Sequence, residues 1–128
     1  MNGHSRWIWI PQLIVVGILG PMGWGKLAGT VGEIELFTML GMEPTGRILV
    51  GLVELGAAAL LLTPYAANGA VLAISVMLGA LIAHSTHLGF DPTAEGGIFV
   101  ILLFVVLISA HVVIYFRRKE LPFIGETL

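Results

Sequence analysis

Long apolar stretches alternate with short polar connections along this 128-residue chain. The apolar stretches cover about 7–27, 46–63, 66–88 and 97–116. A helix rises about 1.5 Å per residue, so roughly 20 apolar residues cross the hydrocarbon core of a bilayer. The second and third stretches are joined by a turn that is short enough for a helical hairpin only. The pattern predicts an all-α membrane protein, a single four-transmembrane-helix antiparallel bundle over residues 1–128.

The polar connection between the first two apolar stretches carries a helical pattern of its own. Ile34, Phe37 and Leu40 recur at helical spacing, whereas Glu33 and Glu35 fall between them. An apolar stripe with carboxylates on the other face is typical of a helix lying at the membrane surface. We therefore expect a short interfacial helix between spans 1 and 2.

Composition agrees with a membrane protein and excludes several other classes. Hydrophobic residues make up 57% of the chain and charged residues 11%, and the mean hydropathy is +0.98. Too little polar surface remains to cover a soluble globule, so the expected partner is the lipid bilayer. With a formal net charge of -2 and no recognisable nucleic-acid module, no nucleic-acid partner is expected. The absence of cysteine excludes disulfides, thiol relays and cysteine-ligated metal clusters.

The basic residues predict how the bundle is oriented. Arg6 and the cluster at 117–119 fall on one side of the predicted spans, and Lys26 and Arg47 fall on the other. Cytoplasmic segments carry the excess of Lys and Arg. We therefore expect both termini in the cytoplasm and the long first connection outside.

Glu54 lies inside the second apolar stretch, where an isolated carboxylate costs several kcal/mol unless it is paired, protonated or hydrated. Four basic side chains fall near the same outer ends of the predicted spans. If the helix faces that carry these residues point inward, an outward-facing polar pocket is lined by Lys26, Arg47, Glu54, His84 and His87.

These polar residues also have a purely structural interpretation. Glu54 either pairs with Lys26 or Arg47 to hold the helices together, or it binds a ligand or a proton. The long side chains of Lys26 and Arg47 also suit anchoring to lipid headgroups. Gln12 on the first span is expected to make an interhelical hydrogen bond rather than to bind a ligand.

The histidines leave a metal or a quinone open but argue against haem. His84 and His87 lie three residues apart on one helix, which suits a shared metal or a quinone carbonyl, but a metal would need a further ligand such as Glu54. A hydrogen bond from His84 to Glu54 or to a headgroup is the alternative. His111 lies about 20 Å from the outer side by helical rise, too far to pair with His84 around a haem. Neither a metal site nor haem is expected.

Several motifs resemble those of one known family. GWGKL ends the first span, ELFTMLGMEPTGR leads into GLVELGAAALLLTP, and NGAVLAISVMLGALIAHSTHLG forms the third span. Over about 17–88, this order and spacing resembles the DoxX family of small four-span bacterial membrane proteins. The resemblance implies a location in the bacterial cytoplasmic (inner) membrane, and it puts Lys26, Glu54 and His84 at the polar positions of the family. The family name is associated with a membrane subunit of a thiosulfate to quinone oxidoreductase and with membrane partners of redox or detoxifying proteins.

We therefore expect an accessory or anchoring subunit of a larger membrane complex with protein partners. The resemblance suggests a redox link, and the pocket would bind a quinone or a lipid. One alternative is a quinone-interacting oxidoreductase subunit, in which His84 donates a hydrogen bond, Glu54 accepts a proton and a partner supplies electrons. The other is a small proton-coupled transporter that uses the membrane carboxylate.

Overall fold

The computed structural model describes residues 6–88 and 97–121, and all regular secondary structure in these two ranges is helical. Five α-helices follow one another: α1 (Trp9–Ala28), α2 (Val31–Met39), α3 (Thr45–Leu60), α4 (Ala66–Ala83) and α5 (Gly97–Arg117). A π-helical turn, His84–Leu88, extends α4, and a 3-10 turn, Arg118–Glu120, follows α5. The all-helical prediction is confirmed for the described residues.

In the part of the chain that the structure describes, three helical segments are long and apolar enough to cross a membrane: Trp9–Ala28, Ala66–His87 and Gly97–Glu120. They match the first, third and fourth predicted spans. The second predicted span is shorter than expected, because α3 has 16 residues and so a length of about 24 Å. Helix α2 forms where the short helix between the first two spans is expected.

The four longest helices form a ring in which α1 packs on α3 and α5, and α4 packs on the same two helices. Contacts along α1 show that α3 runs antiparallel to it, since Gln12 reaches Leu61 at one end and Lys26 reaches Glu54 towards the other. The core between the helices is aliphatic and small-sided, with Val15, Leu19, Ala57, Ala73, Val106 and Ala110 among its buried members. Large apolar side chains also cover the outside of the ring, including Ile10, Leu49, Ile82 and Ile108. An apolar exterior of this kind is what lipid requires of a membrane bundle.

Glycines set the distance between α1 and α3. A Cβ added at Gly23 would lie 2.9 Å from the Gly51 carbonyl oxygen, and one added at Gly51 would lie 2.9 Å from the Lys26 Cβ. Helices without a side chain at the crossing approach more closely, which strengthens their packing where lipid supplies no hydrophobic contrast. The close crossing brings the end of α1 against the middle of α3.

Helix α2 packs against α1 and α3. Its Phe37 is buried, whereas Val31 and Met39 are exposed. The pattern predicts Phe37 on the apolar face, but it leaves Glu33 off that face. Instead Glu33 lies one helical turn before Phe37 and also turns towards the bundle, because Lys26 provides a cation there.

Candidate ligand-binding cavity

A buried ion pair joins the end of α1 to the middle of α3. Lys26 Nζ lies 2.9 Å from Glu54 Oε1, and the two side chains are only 6% and 1% exposed. The expected pairing of Glu54 with a basic neighbour is therefore present, and Lys26 is the partner. Gly51 lies one turn before Glu54 on α3. It makes this contact possible because the missing side chain leaves room for the Cβ of Lys26. Each charge offsets part of the cost of burying the other.

A second carboxylate shares the same lysine. Glu33 Oε1 on α2 lies 3.5 Å from Lys26 Nζ, and the Glu33 side chain is 16% exposed. Among the described residues, Glu33 Oε2 is buried without a hydrogen-bond partner, and Glu54 Oε1 contacts Lys26 without a well-directed hydrogen bond. The ammonium group of Lys26 thus pairs with two carboxylates, and some of the carboxylate oxygens accept no hydrogen bond from the described residues.

Arg47 has a different role from the predicted one. Its Nε donates to Glu43 Oε2 at 2.8 Å, and its Nη1 donates to the backbone carbonyl of Lys26. The last carbonyls of a helix have no partner within the helix, so this bond caps the C-terminal end of α1. Arg47 is not among the residues that line the cavity described below, because Glu43 and this carbonyl hold its guanidinium.

The two histidines of the third predicted span, His84 and His87, lie in different surroundings. His84 is half-buried and lines the cavity, and its Nδ1 donates to the Ala80 carbonyl at 2.9 Å. His87 is exposed, and its Nδ1 lies 2.7 Å from the Thr86 hydroxyl oxygen. A π-turn bonds residues five apart and winds less per residue than an α-helix, so it redirects the side chains that follow His84. His84 therefore lines the cavity, whereas His87 does not.

These contacts surround a partly open cavity of about 470 Å³ at one end of the bundle. Its wall is mostly apolar and draws on all five helices, for example through Met22, Phe37, Val50, Val76 and Leu103. Lys26, Glu33, Glu54 and His84 supply most of its polar groups. Apolar walls with a few convergent polar groups are typical of small-molecule sites, and this volume falls within their usual range.

No group of three His, Asp or Glu side chains suited to a metal occurs within residues 6–88 and 97–121. Of the five predicted site residues, the structure brings Lys26, Glu54 and His84 to the cavity and leaves Arg47 and His87 outside it. Glu33 is the cavity residue that the pattern missed. Its position four residues before Phe37, on the same helical face, was the signal that could have found it.

A second polar cluster lies at the opposite end of the bundle. Arg117 is 2% exposed, and its Nε donates to Gln12 Oε1. Gln12 Nε2 in turn donates to the Leu61 carbonyl at 2.8 Å, which confirms the expected interhelical hydrogen bond. In the sequence Arg117 belongs with its basic neighbours to the cluster that predicts orientation, but it continues the buried face of Val106, Ala110 and Val113. This cluster ties α1, α3 and α5 together.

The chain matches no family model, no curated protein and no solved structure. Its resemblance to the DoxX family therefore stays a prediction from the motifs.

Proposed function

We propose that this protein is a multi-pass bacterial inner-membrane protein that serves as an accessory or anchoring subunit and holds an amphiphile in its cavity. The observation that carries the proposal is the cavity itself, about 470 Å³ with mostly apolar walls and the buried Lys26–Glu54 pair beside it. Ionisable residues inside a membrane bundle are costly and commonly mark a ligand or ion site. A molecule with an apolar body and a polar end complements such a wall.

In this proposal α3 is the second of four spans and α2 lies at the outer surface of the membrane. Helix α3 packs between α1 and α4, and both of those neighbours are long enough to cross a bilayer. A membrane can thin locally around a helix of about 24 Å. The exposed Val31 and Met39 of α2 suit contact with the headgroup region. Both termini then lie in the cytoplasm, as the basic residues predict.

The subunit role is supported by the small share of the described residues that lies outside the helices. Most of them lie in the helices of one bundle, and the turn between α3 and α4 covers only 61–65. In this proposal, a partner protein supplies the groups for any reaction of the bound molecule. A quinone is the second candidate occupant, since His84 and Glu54 both line the cavity.

The proposal is tested by purifying the tagged protein from its native membrane in a gentle detergent and measuring bound molecules by mass spectrometry. Gly79 lines the cavity, and a Cβ added there meets no heavy atom within 4 Å, so Gly79→Leu should narrow the cavity without disturbing the fold. Gly17 on α1 is exposed and equally unobstructed but does not line the cavity, so Gly17→Leu is the matched control.

We expect a lipid or quinone that is retained by the wild type and by Gly17→Leu and lost from Gly79→Leu. The mass of the retained molecule distinguishes the two classes. Proteins that co-purify in fixed stoichiometry would support the subunit role. A retained molecule that survives Gly79→Leu unchanged, or a wild-type protein that carries none, would contradict the cavity as a binding site.

A further inference from the structure

The charges around the cavity do not balance. With His84 counted as neutral, three carboxylates of the described residues, those of Glu33, Glu43 and Glu54, meet two cations, Lys26 and Arg47. Arg47 is paired with Glu43 and attracts Glu33 from farther away, and Lys26 is the cation that the described residues place within ion-pair distance of both Glu33 and Glu54. A buried charge without a counter-charge is destabilising, and it favours any ligand that brings the missing charge.

The same cluster is rich in hydrogen-bond acceptors and poor in donors. Lys26 Nζ has three protons, and it lies within ion-pair distance of both Glu33 Oε1 and Glu54 Oε1. Glu33 Oε2 is buried and accepts no hydrogen bond from the described residues. A ligand donor that reached this oxygen would make a charge-assisted hydrogen bond, which is about twice as strong as a neutral one.

The apolar part of the wall suits a cation attached to a hydrocarbon chain. Phe37 and Phe99 both line the cavity, and aromatic rings attract cations electrostatically. Met22, Val76 and Leu103 supply aliphatic surface for a chain. An anionic headgroup would meet two carboxylates here, and a neutral hydroxyl would leave the excess charge uncompensated.

We propose that the cavity selects an amphiphile with a primary ammonium headgroup, which pairs with Glu33 beside the Lys26–Glu54 pair. This inference rests on the proposed function, since it names the class of amphiphile that the cavity holds. A free long-chain amine and a lipid with an ethanolamine headgroup share this chemistry. Glu33 sets the preference for the cation, and the apolar walls hold the chain.

The test measures binding of tritiated dodecylamine to the full-length protein, which is immobilised by its tag on a resin in a nonionic detergent at pH 7. Resin without protein is the blank. Competitors of the same chain length are dodecanol, dodecanoate, and phosphatidylethanolamine or phosphatidylglycerol with twelve-carbon chains. Glu33→Gln removes the excess charge and nearly preserves the shape. Glu35→Gln makes the same change at an exposed position of the same helix, so it controls for net charge.

We expect dodecanol and dodecanoate to displace the amine only at concentrations roughly tenfold or more above that of unlabelled dodecylamine. Glu33→Gln should weaken amine binding about tenfold, and Glu35→Gln should change it less than about twofold. Displacement by phosphatidylethanolamine but not by phosphatidylglycerol would identify a lipid as the source of the headgroup, and displacement by neither would identify a free amine. Either result supports the proposal.

Equal affinity for dodecylamine and dodecanol, or an unchanged preference in Glu33→Gln, would overturn the amine proposal. The cavity would still stand as an amphiphile site if Gly79→Leu abolished binding of both probes and Gly17→Leu did not. If the wild type bound none of the probes and carried no retained lipid or quinone, both the amine proposal and the proposed function would fail.

Discussion

Lys26 at the end of α1 and Glu54 in the middle of α3 form an ion pair at 2.9 Å with almost no exposure to solvent. The pair joins two helices that approach each other closely at Gly23 and Gly51. It also lies beside the cavity, so it contributes to both the stability and the polarity of this end of the protein.

Glu54→Ala should destabilise the protein far more than Glu35→Ala. Removing Glu54 takes away the partner of Lys26 at 2.9 Å and leaves the ammonium only Glu33 among the described carboxylates, at 3.5 Å. The loss is therefore a part of the roughly 3 to 5 kcal/mol of a fully broken buried pair, whereas an exposed carboxylate contributes little. The measurement is the thermal midpoint of the detergent-solubilised protein. Replacing the three charges together, as in Lys26→Met with Glu54→Leu and Glu33→Gln, should recover much of the loss because this cluster then holds no buried charge. Equal midpoints for Glu54→Ala and Glu35→Ala would argue against a stabilising pair.

Gly51→Ala should lower the thermal midpoint, and Gly56→Ala on the same helix should leave it equal or higher. A Cβ at residue 51 would lie 2.9 Å from the Lys26 Cβ and 3.1 Å from the Gly23 carbonyl oxygen, whereas one at residue 56 meets nothing within 4 Å. Without a clash, alanine stabilises a helix relative to glycine by about 0.5 to 1 kcal/mol. If both variants gained stability, the close approach of α1 and α3 would be disproved.

Arg117→Gln should destabilise the bundle more than Arg118→Gln. Arg117 is 2% exposed and donates to Gln12, which holds the Leu61 carbonyl, whereas Arg118 interacts only with its neighbour Tyr115 among the contacts of the described chain. Disrupting a buried charge-assisted network costs roughly 1.5 to 3 kcal/mol. The thermal midpoint of each variant in detergent measures the loss of stability. A larger effect at Arg118 would show that the cluster does not hold this end of the bundle.

Helix α3 should separate two exposed positions onto opposite sides of the membrane. The chain has no cysteine, so Glu35→Cys and Tyr65→Cys each supply a single label site, before and after α3. A membrane-impermeant maleimide added to intact cells should label Glu35→Cys only, and Tyr65→Cys should react only after the membrane is opened. Lys119→Cys should behave like Tyr65→Cys, since both are expected on the cytoplasmic side. Labelling of Glu35→Cys and Tyr65→Cys from the same side would contradict four spans.

The helices were largely predictable because their signals are local. Apolar runs of about 20 residues and their polar boundaries depend on neighbouring residues only, so the first, third and fourth predicted spans appear within a few residues of their expected bounds. Helix α3 ends at Leu60, earlier than its apolar run, because the hairpin turn begins at Leu61 and Leu62, which are apolar as well. Hydropathy alone does not distinguish the last turn of a helix from an apolar loop.

The candidate site was only partly predictable. The pattern placed Lys26, Glu54 and His84 at one end of the bundle, where the structure brings them to one cavity. It did not indicate which of two cations would pair with Glu54, because that choice depends on distances of an ångström or two between helices. Gly23 and Gly51 set those distances, and they put Lys26 rather than Arg47 beside the carboxylate.

By itself the sequence determined the class of the protein, its helices and the few ionisable residues placed among apolar ones, because hydropathy and helical period follow from the order of residues. Only the tertiary structure decided that Glu33 shares Lys26, that Arg47 caps α1 and that Arg117 turns inward. A charged side chain satisfies its hydrogen bonds with whichever groups lie within about 3 Å of it. Those groups come from other helices, and their positions exist only once the bundle is packed.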